Sequence, residues 1–491
     1  MKMKDVFIVI ILLTALNNFH MAQDVLTLDN AITTALENSP QIRRSVINLE
    51  RSKESLNAQN AALLSKFNLR ITPFEFSKDR QFNDFFSTWN TSETKASYGT
   101  FSITQPIIWT DGTIALNNTF SWQDAISEFQ GDMNSETFSN RLFLSYNQPL
   151  FTYNRTQLQL NELELDLENA ALSYAIQKLA ITKNVSESFY SVYQQKLRVQ
   201  IANDEYQSQK TNYDLTLNKV DAGILSQDEL YQAELNMLNS QMSLQNQEVT
   251  LQNQLDQFKQ LVGIPIENEI DIITDVAHNP VEINLNKALE NGVANRMELR
   301  QREIDIEASQ FNLIRTSSTN EFFGNLSMSV GLIGTDEKFQ NIYETPTNNQ
   351  QFSLSFDIPL FDWGERESRI EASKKSIELS KITLDDERIS IIVAIRSVNR
   401  NLANLETQIE ISEVSERNAQ LSYEINLERY SNGDLTSIDL QRFQQQLSEA
   451  KLNRVNALIS YKLELLNMKI QSLYDFEKNQ PVIPDVKYSF E

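Results

Sequence analysis

The sequence predicts a mixed α+β protein in which one unit of long helices and short strands occurs twice. Two motifs recur at a shift of 210 residues (359 − 149): Pro149, Leu150 and Phe151 return as Pro359, Leu360 and Phe361, and Gly223 and Leu225 return as Gly433 and Leu435. Only 11 Gly and 10 Pro interrupt the 491 residues, so long unbroken elements are expected. A unit made twice indicates a repeated architecture rather than a single pocket.

Each half opens with the same amphipathic helical segment. The residues repeat there at a shift of 257 (285 − 28): Leu28, Ala31, Ile42, Arg43 and Glu50 correspond to Leu285, Ala288, Leu299, Arg300 and Glu307. Because the shift then falls to 210, the first half carries about 47 additional residues (257 − 210) before its Pro-Leu-Phe. The two halves therefore differ in the interval between opening helix and Pro-Leu-Phe.

Strands with one apolar and one polar face fill this interval. In the first half Phe67, Leu69 and Ile71 alternate with polar residues, and Leu326 and Met328 begin a similar alternation in the second half. Such a strand suits a wall with lipid on one side and water on the other, and it suits a soluble sandwich equally well.

The additional residues of the first half predict one more hairpin, near 97–123, with its turn at Asp111 and Gly112. The flanking stretches 77–95 and 124–137 are rich in polar residues and are predicted to be exposed loops. The sequence leaves open whether this hairpin joins the other strands.

Two long helices follow the Pro-Leu-Phe segments. No Pro or Gly occurs from Leu158 to Val220 or from Glu367 to Tyr430, so each helix could run for about sixty residues, or roughly 90 Å. The second carries apolar residues spaced alternately four and three apart, a 3.5-residue period that favours left-handed coiled packing: Ile391, Ile395, Val398, Leu402, Leu405 and Ile409. Each ends at a glycine turn, and a return helix then begins, at Gln227 and at Ser437.

Composition excludes several classes of function. The chain has no Cys and only two His, which removes disulfides, thiolate metal sites and most catalytic constellations, so no cofactor and no enzyme activity are expected. A net charge of −23 disfavours nucleic acid as a partner. Residues 1–22 are typical of a secretory signal peptide. Lys2 and Lys4 precede an apolar run, and the small Ala22 gives a plausible cleavage point before Gln23.

This order of elements resembles the TolC family of outer membrane efflux proteins. The resemblance rests on the doubled Pro-Leu-Phe, the doubled glycine turn and the opening segment from Leu28 to Ile42, and it covers essentially the whole mature chain. It implies a homotrimer in which strands, four per protomer in the family, form one outer membrane β-barrel, and helices form a periplasmic α-barrel. It also implies export of small molecules or proteins from an inner membrane pump through a periplasmic adaptor protein, with outer membrane lipid around the strands.

The resemblance further implies a gate at the periplasmic helix tips. The acid of the family's constriction ring falls six positions after the tip glycine, at Asp439, with Glu229 as its counterpart in the first half, while Tyr430 matches a tyrosine that latches the closed tip. Arg442 and Leu435 stand where the family has a second acid and a latch arginine. Both acids also lie where a first-turn carboxylate is favoured by the helix dipole alone.

The remaining residues implied by the resemblance are structural. The helix-tip turns are assigned to Gly223 and Gly433, and the strand-to-helix junctions to Pro149, Phe151, Pro359 and Phe361. The expected organisation is a signal peptide (1–22), a first repeat (23–265), a linker (266–282), a second repeat (283–476) and a C-terminal tail (477–491). The alternative is a secreted coiled-coil scaffold or adhesin with a small β head and no pore.

Overall fold

A computed structural model describes residues 24–127, 133–273, 277–432 and 434–482. The expected signal peptide lies outside these ranges. The chain divides into two compact units: one contains residues up to 48, 171–300 and from 385 onward, and the other contains 49–170 and 301–384. Helix and strand both contribute substantially, which confirms the mixed α+β class.

The described helices follow the predicted repeat. In chain order they are α1 (Leu28–Asn38), α2 (Pro40–Ala62), α3 (Arg155–Asp221), α4 (Gln227–Val262), α5 (Leu285–Asn295), α6 (Met297–Ser317), α7 (Glu365–Ser431) and α8 (Ser437–Ser472). The long helices α3 and α7 have 67 residues each, and the return helices α4 and α8 have 36 each, so the helical hairpins of the two halves are equal in length.

The opening segment of the first half is two helices rather than one. Ser39 ends α1 with ψ 133°, and Pro40 begins α2. The residue before a proline is disfavoured in the helical region, so the chain turns there before the second helix starts. In the second half Arg296 separates α5 from α6 in the same way, although no proline follows it.

The strands of the second unit form one antiparallel sheet. In chain order they are β2 (Lys66–Asn83), β3 (Thr88–Ile107), β4 (Gly112–Ser127), β5 (Met133–Leu150), β7 (Phe323–Asp336) and β8 (Thr347–Asp357). Their order in the sheet is β2-β3-β4-β5-β7-β8, so β2 and β8 are its edges. Elsewhere two short strands, β1 (Asp24–Leu26) and β6 (Ile270–Ile272), pair in parallel, and β9 (Tyr474–Asp475) pairs with β10 (Gln480–Pro481).

The loops predicted at 77–95 and 124–137 are wrong, because most of these residues are strand. β2 and β3 stay paired as far as Asn83 and Thr88, and β4 and β5 stay paired as far as Ser127 and Met133. Polar residues occupy both faces there, so no alternation marks the strand, yet backbone pairing and cross-strand contacts hold it together. Trp122 Nε1, for example, donates to Glu136 across the β4–β5 pair at 2.9 Å.

The core of the first unit lies where α1, α3, α4 and β6 meet. Ile181, Val185 and Phe189 of α3 are fully buried, and the Phe189 and Phe258 rings meet edge to face with centroids 6.0 Å apart. On α7 the apolar positions at 3.5-residue spacing are buried from Ile391 to Leu402 and again at Ile409. Within the described ranges, none of the helices combines the length and hydropathy of a membrane-spanning segment.

Candidate site at the helix tips

The turn between α3 and α4 is closed by backbone hydrogen bonds around a left-handed glycine. Gly223 has φ +74°, its N–H donates to Val220 O at 2.9 Å, and the Ile224 N–H donates to Lys219 O at 2.9 Å. This pair of bonds is the Schellman arrangement, in which a residue without a Cβ adopts the left-handed conformation at no steric cost.

The turn between α7 and α8 repeats one of these bonds at a shift of 210. The Asp434 N–H donates to Arg429 O at 2.9 Å, which corresponds to the bond from Ile224 to Lys219 in the first half. Gly433 lies outside the described residues. Both helical hairpins therefore turn with the same backbone hydrogen bond between residues five positions apart.

The N-caps of the two return helices differ. Thr436 Oγ1 accepts from the Asp439 N–H at 3.2 Å and donates to the Asp439 carboxylate at 2.6 Å, so this acid belongs to a reciprocal capping interaction at the start of α8. At the equivalent position of α4, the Ser226 side chain makes no capping hydrogen bond. Both Asp439 and Glu229 are exposed in a first turn. The capping contact gives Asp439 a structural role at the start of α8.

We expect Thr436→Ala to loosen the start of α8. Loss of a threonine N-cap costs about 1 kcal/mol, which corresponds to roughly fivefold faster hydrogen exchange of the first-turn amides if they exchange by local opening. Ser226→Ala is the matched control, because that side chain makes no cap bond, and it should change exchange in α4 little. Equal acceleration in both variants would contradict the different caps.

Tyr430 connects the two long helices near their ends. Its hydroxyl, on α7, donates to Asn212 Oδ1 on α3. The phenol is half-buried, and this burial raises the pKa of Tyr430 above its ordinary value. A tyrosine hydroxyl is already protonated at neutral pH, and here it acts as a donor. The predicted latch tyrosine is thus in a cross-helix hydrogen bond, and the acceptor is a residue that the sequence reasoning missed.

A second cross-helix contact lies one heptad earlier on α7. Tyr423 hydrogen-bonds Ser208 of α3, and Ser208 Oγ donates to Gln444 of α8 at 3.2 Å. Burial raises the pKa of Tyr423 as well. The seven-residue spacing of Tyr423 and Tyr430 was the only sign in the sequence that both face the same neighbouring helix. The residues near them in the chain did not indicate their partners on α3.

The strand-to-helix junctions of the two halves make different side-chain contacts. After Pro149, Phe151 has φ +61°, and its ring lies 5.5 Å from that of Phe322. After Pro359, the exposed Phe361 ring packs edge to face on Trp363 at 4.7 Å. The junctions therefore share a motif but not its contacts.

At the start of each long helix a carboxylate accepts hydrogen bonds from backbone N–H groups, but the carboxylate comes from a different part of the chain in each half. Asp362 accepts from the Arg366 and Gly364 amides, each at 3.0 Å, and these bonds lower the pKa of Asp362. In the first half the corresponding carboxylate comes from the β3–β4 turn, where Asp111 accepts from the Thr156 N–H at 3.1 Å. The described residues contain no group of three or more His, Cys, Asp or Glu arranged to hold a metal ion.

The model of the family described as "Outer membrane efflux protein" matches residues 113–264 and 289–469. These ranges make up more than half of the chain and contain nearly all of both helical hairpins, including their tips. The chain belongs to the outer membrane efflux protein family. As a member of this family it is a transport protein rather than an enzyme, and it is located in the outer membrane with a large periplasmic portion.

Curated relatives of this efflux protein include Nodulation protein T of Rhizobium leguminosarum bv. viciae. It is 22% identical over 65% of this chain, and the aligned region spans 66% of that relative's length. Nodulation protein T of Rhizobium leguminosarum bv. trifolii is 20% identical over 73% of this chain and 77% of its own length.

Solved structures of outer membrane channels share the fold. The Campylobacter jejuni CmeC outer membrane channel has a TM-score of 0.69 at 16% identity, covering 94% of this chain and 87% of that one. Vibrio cholerae VceC has a TM-score of 0.64 at 14% identity, covering 91% and 95%. The Neisseria gonorrhoeae MtrE channel, in its open state, has a TM-score of 0.63 at 12% identity, covering 94% and 91%.

Proposed function

We propose that three copies of this chain form an outer membrane channel that receives cargo from an inner membrane pump through a periplasmic adaptor protein and is gated at the helix tips. The family assignment and the channels of similar fold support this assembly, and they do not favour a secreted scaffold or adhesin. A passive duct has no energy source of its own, so the pump would supply the energy for export.

The observation that carries the proposal is a continuous apolar face across all strands of the sheet. Residues paired directly across neighbouring strands have their side chains on the same face of the sheet. The pairing register places one row of apolar residues across five strands: Phe67, Ile103, Leu116, Leu144 and Val330. Neighbouring rows add further exposed or half-exposed apolar residues to this face: Leu69, Ile71, Phe101, Ile114, Leu142, Met328, Leu332, Phe352 and Leu354.

The opposite face of the sheet is mainly polar. Hydroxyl and amide side chains of neighbouring strands hydrogen-bond there, as Thr100 does with Thr119 at 3.1 Å and Ser327 with Asn147 at 2.8 Å. A wall with apolar residues on one side and polar residues on the other is the arrangement expected between lipid and a water-filled lumen.

The helices also expose apolar residues that a single copy does not cover. Tyr231, Leu235, Leu238 and Met242 follow one another on α4 at spacings of 4, 3 and 4, and each is about half exposed or more. A seam of this spacing is suited to packing against another helix. In the proposed trimer, neighbouring copies would cover it.

We assign the gate to the tips because three features meet there. The tip turns order the ends of both hairpins, the Tyr430 hydroxyl joins α7 to α3, and Asp439 places a carboxylate at the start of α8. Opening would separate α7 from α3 as a movement between two states, with the tyrosine bond broken in the open state.

Ion selectivity tests the channel and the acid together. The purified protein in planar bilayers should form a cation-preferring pore, and Asp439→Asn should shift its reversal potential in a salt gradient towards zero. Asparagine removes the charge but keeps an oxygen that can accept from Thr436, so the cap survives. Asp385→Asn, the same charge change on an exposed acid of α7 elsewhere in the chain, is the control and should change little.

The outcomes separate the two claims. If the wild-type protein conducts and Asp439→Asn keeps the full cation preference, Asp439 does not line the constriction, although the channel proposal survives. If no variant and no wild-type sample conducts, the channel proposal itself is wrong.

A further inference from the structure

We propose that the hairpin β3–β4 is part of the membrane wall, so that each copy contributes six strands to a ring of eighteen, closed by pairing β8 of one copy with β2 of the next. This inference rests on the proposed trimer. It differs from the four strands per protomer expected by resemblance to the family, and it assigns the interface to two named strand edges.

The position of the hairpin within the sheet is the first argument. The duplication relates β7 to the start of β2 by the shift of 257 and β8 to β5 by the shift of 210, so the additional residues are β3 and β4. These two strands lie between β2 and β5 and pair with them along nearly their full length. An even number of added strands keeps the sheet antiparallel throughout.

The hairpin is also fastened at the end where the chain enters α3. Asp111 at its turn accepts from the Thr156 N–H and hydroxyl, and Asn154 Nδ2 donates to Ile108 O. Gln148 of β5 donates to Thr110 O at 2.5 Å. Because this turn caps the long helix of its own repeat, the hairpin is attached to the helix-proximal end of the sheet. A hairpin that lay outside the membrane wall would need none of these contacts.

The hairpin continues the apolar face. Ile103 of β3 and Leu116 of β4 lie in one row between Phe67 and Leu144. Phe101 lies in the next row, with Leu69 and Leu142, and Ile114 faces the same side beside Tyr146. If β2 and β3 lay outside the membrane wall, their apolar side chains would be exposed to water on a broad patch, which soluble surfaces avoid.

The two edges can complete one another. In a sheet of six antiparallel strands the edge strands run in opposite directions, so β8 of one copy meets β2 of the next in antiparallel orientation. Nearly every residue of β2 and every residue of β8 is exposed. Unpaired backbone groups cannot face lipid, so both edges need a partner in the membrane, and head-to-tail pairing around a ring supplies it.

Charges at the edges agree with this pairing. Lys66 begins β2 and Asp357 ends β8, so a cation and an anion lie at the same helix-proximal end of the two edges. With strands about 4.8 Å apart and tilted by about 40°, eighteen strands give a ring roughly 36 Å across, whereas twelve give roughly 24 Å. Rings of 16–18 strands are wide enough to leave an aqueous channel.

Because the natural chain has no cysteine, introduced pairs report on this interface without background. Ser353→Cys on β8 is combined in turn with Asn68→Cys, Arg70→Cys or Thr72→Cys on β2, all on the polar face where a water-soluble oxidant reaches them. Oxidation of the detergent-solubilised or membrane-embedded protein should convert at least one of these variants into covalent dimers and trimers on denaturing gels.

The matched comparison pairs Ser353→Cys with Asn117→Cys or Thr119→Cys on β4, on the same face. These variants should stay monomeric on the gel. Cross-linking through β4 but not β2 would overturn the proposal and indicate a twelve-strand ring with β2 and β3 outside it. A sample that is trimeric by mass in detergent yet cross-links through none of the β2 pairs would also overturn it. A sample that is not trimeric would instead contradict the proposed function.

Discussion

A Tyr430→Phe channel should open far more often than the wild type. The change removes only the hydroxyl that donates to Asn212 and keeps the half-buried ring, so packing between α7 and α3 is retained. A net hydrogen bond contributes about 1 kcal/mol, or about fivefold in the ratio of open to closed states, and three copies opening together would multiply this to on the order of a hundredfold. Open probability in planar bilayers measures the effect directly.

The cross-helix bond can be isolated by its partner and by a control. Asn212→Ala should have a similar effect, and the double variant should add little to either single change, because one bond is lost in all three. Tyr461→Phe is the control: this hydroxyl accepts from the Val281 N–H at 3.1 Å, and neither residue belongs to a tip. Open probability that is the same in Tyr430→Phe and the wild type, or fully additive in the double variant, would show that the bond does not hold the gate closed.

Gly263→Ala should strongly destabilise the folded protein. Gly263 ends α4 with φ +85°, and a Cβ there would lie 2.5 Å from Asn38 O and 2.7 Å from Asn38 C. The left-handed conformation costs about 1–2 kcal/mol for an alanine, and displacing packed backbone adds about 1–3 kcal/mol. Together these come to about 2–5 kcal/mol, a large share of the roughly 5–15 kcal/mol that stabilises an ordinary domain.

Gly223→Ala supplies the matched comparison. Its φ of +74° imposes a similar conformational cost, but no atom lies within 4 Å of the position that the Cβ would take. We expect a modest decrease in the denaturant midpoint for Gly223→Ala and a severe loss of yield for Gly263→Ala, both measured on detergent-solubilised protein. Equal losses would mean that conformation alone matters, and that α1 does not pack against the end of α4 as described.

The helical architecture was largely predictable because its signals are local. The absence of Gly and Pro placed α3 and α7 to within three residues at each end, and the glycine turns separated them from α4 and α8. The strands were less predictable. Alternation identified their apolar parts, but it failed at 77–95 and 124–137, where polar residues on both faces are held in strands only by pairing with their neighbours.

The candidate site was predictable in part for a similar reason. Tyr430, Asp439 and Glu229 were predicted from the family resemblance by their distance from a tip glycine, and their role in a gate stays a prediction. Asn212, which accepts the tyrosine hydroxyl, lies 218 residues away and carries no mark of that role. The parallel pairing of Asp24–Leu26 with Ile270–Ile272 was not predictable either, because a three-residue strand is defined by its partner.

The sequence by itself determined the duplication, the lengths of the helices, the tip turns and the presence of an additional hairpin, since each depends on residues close together in the chain. Only the tertiary structure decided where that hairpin lies. Its place between β2 and β5, the register that joins six strands into one apolar face, and the attachment of Asp111 to the start of α3 all depend on backbone pairing between distant segments. Such pairing is set by which edges meet in three dimensions, and a one-residue slip would exchange the two faces.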